Sequence, residues 1–160
     1  MGGVSTRAMS AAWRDNLLTN RPGPALEIAR SAKRVAVLGI KTEGQASQPA
    51  FYVPEYLKHS GVKVIPVPVY FPEVTEILGE PVFRKVSDIK GEQIDIVDIF
   101  RRPKDLEQHL EDILACDPLP RAVWLQSGIT HPIFEEALAK AGIKVVSDRC
   151  LLVDRRDAIS

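Results

Sequence analysis

Five short apolar segments recur along the chain, and polar stretches separate them. They are rich in valine and isoleucine and span residues 34–40, 62–69, 95–100, 122–129 and 143–148. Apolar residues run on continuously in these segments instead of alternating with polar ones. This pattern is typical of parallel strands that are buried on both faces of a sheet. We therefore predict five parallel strands.

The stretches around these strands have the period of amphipathic helices. The predicted helices span residues 24–33, 49–61, 104–116 and 132–142. The second and the fourth end at a glycine, which commonly ends helices, and the third carries leucine and isoleucine along one face. A last helix is expected to begin at Asp148, Arg149 and Cys150.

Alternation of strands and helices predicts a doubly wound α/β fold, with a mostly parallel sheet of five to six strands and helices on both faces. Residues 82–86 are predicted as a short extra strand after a turn at 77–81. The six strands would then follow the Rossmann-like order 3-2-1-4-5-6. We expect one domain over residues 24–160, preceded by an extension, residues 1–23, that is partly helical or disordered.

Composition limits the kinds of partner. The 160 residues include 21 acidic and 21 basic side chains, so the formal net charge is zero. Such a balance disfavours non-specific binding to nucleic acids or membranes, and any anion site must be built from local groups. Two cysteines and three scattered histidines predict neither a disulfide nor a metal centre. We expect a cytoplasmic protein.

The first residues carry two weak targeting patterns. Gly2 and Thr6 fit the loose pattern for myristoylation, and no acidic residue precedes Asp15, as in transit peptides. Both patterns are short, so an ordinary frayed terminus is the favoured alternative.

Ligands of doubly wound sheets bind beyond the carboxyl ends of the strands. The residues that we predict to bind a cofactor there are Gly39, Ile40, Lys41, Thr42, Val67, Pro68, Val69, Phe100, Arg101, Arg102, Gln126 and Gly128.

Several of these residue types suit a phosphate. A turn at Gly39 lets backbone N–H groups and the positive end of the next helix face an anion, and Lys41 and Thr42 add a charge and a hydroxyl. Guanidinium groups also match phosphate oxygens. We expect one of Arg101 and Arg102 in the site and the other in solvent or paired with an acid such as Asp105.

The same region disfavours the common nucleotide motifs. The first loop has two glycines, Gly39 and Gly44, where the dinucleotide motif has three, and Gln45 follows where a P-loop has lysine. The second strand ends in the sequence PVPV, without the acidic residue that binds the ribose of NAD. Pro68 and Val69 instead offer an apolar surface to an adenine ring.

Six segments together resemble a known family. The sequences VAVLGI, YVPEYLKHSGVKVIPVPV, EILGEPVF, DIVDIFRRP, AVWLQSGI and VVSDRC occur in this order between Ser31 and Val153. They resemble the small single-domain CoA-binding proteins, which are related to the CoA-binding domain of the succinyl-CoA synthetase alpha subunit. The resemblance implies coenzyme A or an acyl-CoA as the ligand.

By this resemblance, the loop 39–42 holds the CoA phosphates, residues 67–69 lie beside the adenosine, and residues 100–102 close the pocket. Many members have a shorter first loop, with a serine soon after the glycine and an arginine further on. Here the loop reads GIKTEGQASQPAF. Either Lys41 supplies the missing charge or the phosphate contacts differ.

Candidate catalytic groups are few. His131 and Cys150 follow predicted strands, but no partner for a general base is identifiable, and capping and structural roles are favoured for them. The leading hypothesis is a CoA-binding module without catalytic groups of its own. The alternatives are a small enzyme that uses acyl-CoA or NAD, and an interaction scaffold with a vestigial pocket. A protein partner or a homodimer remains open.

Overall fold

The structure is a computed structural model that describes residues 12–160. Its helices are α1 (Pro22–Ser31), α2 (Pro49–His59), α3 (Leu110–Leu114), α4 (Pro132–Lys140) and α5 (Leu151–Ile159). Its strands are β1 (Arg34–Leu38), β2 (Lys63–Val67), β3 (Glu76–Ile77), β4 (Glu80–Pro81), β5 (Ile96–Ile99), β6 (Ala122–Leu125) and β7 (Lys144–Val146). Short 3-10 turns span Ala12–Asn16, Glu43–Gln45, Val86–Asp88, Pro103–Asp105 and Glu107–His109. Gly2 and Thr6, and with them the lipidation pattern, lie outside the described residues.

Within residues 12–160, the main sheet has five strands, all parallel, in the order β2-β1-β5-β6-β7. This confirms the prediction of a doubly wound, Rossmann-like sheet. The chain crosses from one side of β1 to the other between β2 and β5, so the switch point lies between β1 and β5. Ligands of such sheets bind at this point, at the carboxyl ends of the strands.

Each strand of the main sheet buries both of its faces, which explains the continuous apolar segments. In β1, Val35 and Val37 pack into one apolar cluster, whereas Ala36 and Leu38 pack into another on the opposite face. Helices α1, α2 and α5 contribute buried side chains to the first cluster, and α3 and α4 contribute to the second. The core therefore has two layers, one on each face of the sheet.

The predicted strand at residues 82–86 is wrong. These residues, all of which the structure describes, form a loop that ends in the turn Val86–Asp88, and the preceding residues form a separate antiparallel hairpin, β3 with β4. Pro66 lies in edge strand β2 and has no N–H to donate to a further strand. It accepts one hydrogen bond through its carbonyl oxygen, from the Phe83 N–H at 2.9 Å.

The side chain of Arg84 is a second reason why residues 82–86 do not form a strand. Its guanidinium donates to the carbonyl oxygens of Phe71 and Val74 at 3.0 and 2.7 Å, and so fastens the loop that follows β2. The six-strand order therefore loses its edge strand, while the other five strands keep the predicted order.

The predicted helix over residues 104–116 is broken. Two 3-10 turns, Pro103–Asp105 and Glu107–His109, precede the short helix α3. Leu106 and Ile113 are nonetheless buried, as the apolar pattern indicates.

Residues 12–21 of the predicted N-terminal extension lie against the edge of the sheet. The Leu18 N–H donates to the Val145 oxygen at 2.8 Å, and Leu17 forms a parallel bridge with the same residue. Leu18 is buried in the core. Among residues 12–160, no helix is both long and apolar enough to cross a membrane.

Candidate functional site

A cleft of about 450 Å³ lies at the carboxyl ends of β5 and β6. The beginnings of α2 and α5 border it on either side. The residues around it are Gln48, Pro49, Ala50, Tyr52, Val53, Phe100, Arg101, Arg102, Gln126, Ser127, Ile129 and Cys150. Four of the predicted binding residues are among them: Phe100, Arg101, Arg102 and Gln126.

Gly39 forms the tight turn at the end of β1. Its φ of +87° is in the region that favours glycine, and a Cβ atom there would collide with the carbonyl oxygen of Phe100. Its N–H donates to the Val67 oxygen at 2.9 Å. Gly39 thereby joins the ends of β1, β2 and β5, and only glycine allows this close approach.

The loop after Gly39 satisfies most of its own polar groups. Ile40 is buried in the core, so only its backbone can face a ligand. The Thr42 hydroxyl accepts from the Gly44 N–H at 3.3 Å, and the Thr42 N–H donates to the Gln45 side chain at 3.1 Å. This is a capping box, which holds the loop in one conformation.

Lys41 is at the rim of the site. Its Nζ lies 5.3 Å from the centre of the Tyr70 ring and 5.8 Å from that of Phe71, which are distances of a cation–π interaction. Its backbone N–H donates to the Ala50 oxygen at 3.1 Å and joins the loop to the first turn of α2. Residues 39–42 therefore lie next to the cleft, although they are not among the described residues that border it.

Arg101 is held inward along the wall of the cleft. Its side chain is only 9% exposed. Its Nε donates to His109 Nε2 at 3.1 Å, and its Nη1 donates to the Tyr70 hydroxyl at 3.3 Å. The hydrogen bond and the positive charge stabilise the phenolate form and lower the pKa of Tyr70.

The side chain of Arg102 extends into solvent instead. Its side chain is 66% exposed, and its Nε donates to Asp105 Oδ2 at 2.9 Å. This bond lowers the pKa of Asp105, with a smaller contribution from the charge of Arg101. The two adjacent arginines thus differ: Arg101 forms part of a wall, and Arg102 is an exposed cation at the mouth.

The end of β6 forms the other side of the cleft. Gln126 is buried, and its Oε1 accepts from the Leu151 N–H at 3.1 Å, which fixes the first turn of α5. Gly128 donates its N–H to Asp148 Oδ1 at 2.7 Å and is not among the described residues at the cleft. Cys150 precedes α5 and borders the cleft.

The end of β2 is placed differently from the rest of the predicted site. Val67 is fully buried, and its carbonyl oxygen accepts from Gly39. Val69 packs against the core from outside. Residues 67–69 are not among the described residues that border the cleft, and they lie on the far side of the Gly39 turn.

The beginning of α2 contributes cleft residues that the sequence analysis did not single out. They are Gln48, Pro49, Ala50, Tyr52 and Val53. A signal for them existed, since Pro49 favours the first position of a helix and helix N-termini attract anions. The helix was predicted to begin at this residue, so its first turn could have been included.

The comparisons with known proteins bear on this geometry. Residues 33–156, more than three quarters of the chain, match the family model described as "CoA binding domain". The chain belongs to the CoA binding domain family.

Two relatives resemble this CoA binding domain over most of their length. A solved structure of a Thermus thermophilus protein, cell-free ID.343, is 43% identical with a TM-score of 0.75, covering 86% of this chain and 98% of that one. The uncharacterized protein YneT of Bacillus subtilis is 30% identical over 127 residues, which is 79% of this chain and 88% of YneT.

A more distant structure shows the same fold inside a larger protein. It is the dinucleotide-forming acetyl-coenzyme A synthetase 1 of Ca. Korarchaeum cryptofilum, in complex with phosphate and ADP, at 19% identity and a TM-score of 0.61. The match covers 77% of this CoA binding domain and 27% of the synthetase chain.

The candidate catalytic histidine of this CoA binding domain has other partners. His131 Nδ1 accepts from the Phe134 N–H at 3.1 Å and caps α4, while its Nε2 lies 3.6 Å from Glu107 Oε1. His131 is not among the described residues at the cleft. Within residues 12–160, no cluster of three or more His, Cys, Asp or Glu side chains is placed to hold a metal ion.

One buried acid lies within β5, the strand that ends at the cleft. Asp98 is fully buried in β5, two residues before Phe100, with Val37 and Trp124 beside it in the sheet. Among the described residues, nothing donates a hydrogen bond to either of its carboxyl oxygens. Burial raises the pKa of Asp98 well above its usual value, because the charged form would lose its hydration. A single acid within an apolar strand carries no signal that singles it out in the sequence.

Proposed function

We propose that this protein binds coenzyme A or an acyl-CoA in the cleft at the carboxyl ends of β5 and β6, and that it has no catalytic groups of its own. The observation that carries the proposal is the side chain of Arg101, a nearly buried guanidinium that forms a wall of the cleft. Burial of a guanidinium costs free energy because the group loses its hydration. A phosphate can offset this cost by accepting paired hydrogen bonds from the guanidinium.

The neighbouring groups suit the diphosphate of CoA. The first turn of α2 points its positive end at the cleft, and the Gly39 turn brings the backbone of residues 39–42 alongside. The Thr42 hydroxyl serves the capping box, and the N–H groups of Gly39, Lys41 and Thr42 donate within the protein. We therefore assign the phosphate contact of this loop to the ammonium group of Lys41. Arg102, which is exposed at the mouth, is free to turn toward a phosphate if it leaves Asp105.

We place the adenine near the exposed ring of Tyr70, next to Pro68 and Val69. Tyr70 is 55% exposed and is flanked by Lys41 and Arg101, so it offers a flat surface between two cations. An aromatic face of this kind stacks well on a purine. The segment supplies no carboxylate of the kind that binds the ribose of NAD in dinucleotide enzymes, which favours CoA over NAD.

The absence of catalysis is part of the proposal. Cys150 borders the cleft, but His131, the histidine that the sequence placed nearby, caps α4 and lies 3.6 Å from Glu107. A nucleophilic thiol needs a base or a lowered pKa to act.

Calorimetric titration with CoA, acetyl-CoA, NAD and ATP tests the proposal. We expect CoA and acetyl-CoA to bind, and NAD and ATP to bind at least about tenfold more weakly because they do not match the whole cleft. No heat with CoA at millimolar ligand would refute it. Preferential binding of NAD would favour the enzyme hypothesis instead. Release of acetate from acetyl-CoA, measured in the same samples, would contradict the absence of catalysis.

A further inference from the structure

The guanidinium of Arg101 is held by side chains from two other parts of the chain. His109, in the turn Glu107–His109, receives its Nε–H at 3.1 Å, and the Tyr70 hydroxyl, in the loop after β2, receives its Nη1–H at 3.3 Å. We infer that His109 is a positioning residue for ligand binding, whose neutral imidazole holds Arg101 against the cleft and releases it when the imidazole is protonated. This inference rests on the proposed binding of CoA.

The contact defines the state of the imidazole. Arginine remains protonated in proteins and has no acceptor atom, so it must be the donor in this hydrogen bond. His109 Nε2 is therefore the acceptor, and the proton of the neutral ring is on Nδ1. Protonation of Nε2 removes the acceptor.

The surroundings of His109 favour its neutral form. The ring is half-buried, and the charged side chains that face it are Arg101 from the strand end, Asp105 from the turn Pro103–Asp105 and Asp112 from α3. Burial and then the positive charge of Arg101 lower the pKa of His109, while the two aspartates act in the opposite direction.

Both aspartates also have other partners. Asp105 accepts from the Arg102 guanidinium and lies 4.0 Å from Arg101 Nη2, and Asp112 accepts from the backbone N–H groups of Val86 and Ser87 at 2.8 and 3.0 Å. The lowered pKa of His109 thus favours the neutral ring that the hydrogen bond from Arg101 requires.

Protonation places two donors and two positive charges at hydrogen-bonding distance. The Arg101 Nε–H and the new His109 Nε2–H then point at each other, and the repulsion in this half-buried place favours a displaced Arg101. His109 is not among the described residues that border the cleft, so Arg101 lies between its ring and a ligand. The loss of the Arg101 contact with a phosphate therefore weakens binding more than the positive charge of the more distant imidazolium strengthens it.

The experiment measures the dissociation constants of dephospho-CoA and CoA between about pH 5 and about pH 7.5, a range that extends well below the ordinary histidine pKa of about 6.5 because the pKa of His109 is lowered. Dephospho-CoA carries only the diphosphate, which keeps its charge over this range, and so separates the titration of the protein from that of the 3′-phosphate. The variants are His109→Gln, whose amide oxygen can accept from Arg101 without titrating, and His109→Ala, which offers no acceptor.

We expect the wild-type protein to lose about tenfold in affinity for dephospho-CoA at the acidic end, the usual effect of one hydrogen bond to a charged group. His109→Gln should keep its affinity at both ends. His109→Ala should bind about tenfold more weakly at both ends, with no pH dependence of its own. His59→Gln is the matched control, since His59 is exposed at the end of α2, and its pH profile should equal that of the wild type.

Equal pH profiles in the wild type and in His109→Gln would overturn the inference, as would tighter binding by the wild type at acidic pH. If His109→Ala does not fold, as judged by circular dichroism, the comparison with His109→Gln decides. If the wild type binds neither ligand at any pH, the proposed function fails and this inference fails with it. Binding without a contribution from His109 would overturn this inference alone.

Discussion

The backbone of Gly39 lies so close to the carbonyl oxygen of Phe100 that there is no room for a Cβ atom between them. This contact joins the turn after β1 to the residue that precedes Arg101. The position of the loop 39–42 and that of the arginine are therefore coupled through two neighbouring strand ends.

Gly39→Ala should damage both stability and binding. The substitution strains a φ of +87° and pushes the Phe100 backbone, so we expect a loss of about 2–4 kcal/mol in the free energy of unfolding. Urea denaturation measures this loss, and calorimetry should show weaker CoA binding in the fraction that folds. Gly23→Ala is the control, because a Cβ at Gly23 meets no atom within 4 Å. Similar stabilities for the two variants would contradict the structural argument.

Arg101→Ala should weaken the binding of CoA more than any change at Arg102. Arg101 is a preformed part of the cleft wall, whereas Arg102 must leave Asp105 to reach a ligand. Removing a hydrogen-bonded charge opposite a phosphate costs about 2–3 kcal/mol, or roughly a 30-fold to 150-fold loss of affinity by calorimetry.

Arg121→Ala serves as the matched control for Arg101. Arg121 is exposed and pairs with Asp95 at the amino ends of the strands, on the opposite edge of the sheet. Its removal lowers the net charge by the same amount and should leave the affinity unchanged. A loss shared equally by both variants would show a general electrostatic effect in place of a site at Arg101.

Asp98→Asn should change how stability depends on pH. Burial raises the folded-state pKa of Asp98, so the folded protein binds this proton more tightly than the unfolded chain does. The contribution of Asp98 to stability is greatest below the unfolded-state pKa of about 4 and falls as pH rises toward the folded-state pKa. The amide cannot titrate, so the stability of Asp98→Asn relative to the wild type should increase with pH.

Urea denaturation of the variant and the wild type at several pH values tests this prediction. The contributions of the other titrating groups cancel in the difference between the two free energies of unfolding. The exposed Asp88→Asn is the control, and its stability relative to the wild type should vary little with pH. A constant difference between Asp98→Asn and the wild type would show that the buried carboxyl does not retain its proton.

Prediction from sequence succeeded where the signal is local. The valine-rich run of β1 and the glycine that ends it specify a buried strand and a tight turn, because burial on both faces leaves no polar position. The prediction of a strand at 82–86 was wrong because residues far away in the sequence decide whether this segment joins the sheet. Pro66, in strand β2, has no N–H to donate to it, and the Arg84 side chain bonds to the loop after β2.

For the site, Phe100, Arg101, Arg102 and Gln126 border the cleft, as their positions after the strands suggested. The predicted residues Val67 and Gly128 are not among the described residues there; the Val67 carbonyl oxygen accepts from Gly39, and the Gly128 N–H donates to Asp148. The first turn of α2 was missed because its approach to the cleft depends on how the loop after Gly39 folds.

The sequence by itself determined the order of strands and helices, the parallel sheet and the family, because apolar runs, turn glycines and short motifs are local properties of the chain. The tertiary structure decided which of two adjacent arginines turns inward. Arg101 and Arg102 have the same side chain, and the partners that folding brings to them distinguish them: the ring of His109 and the hydroxyl of Tyr70 for Arg101, and Asp105 for Arg102. Hydrogen bonds between distant segments leave no periodic trace in a sequence.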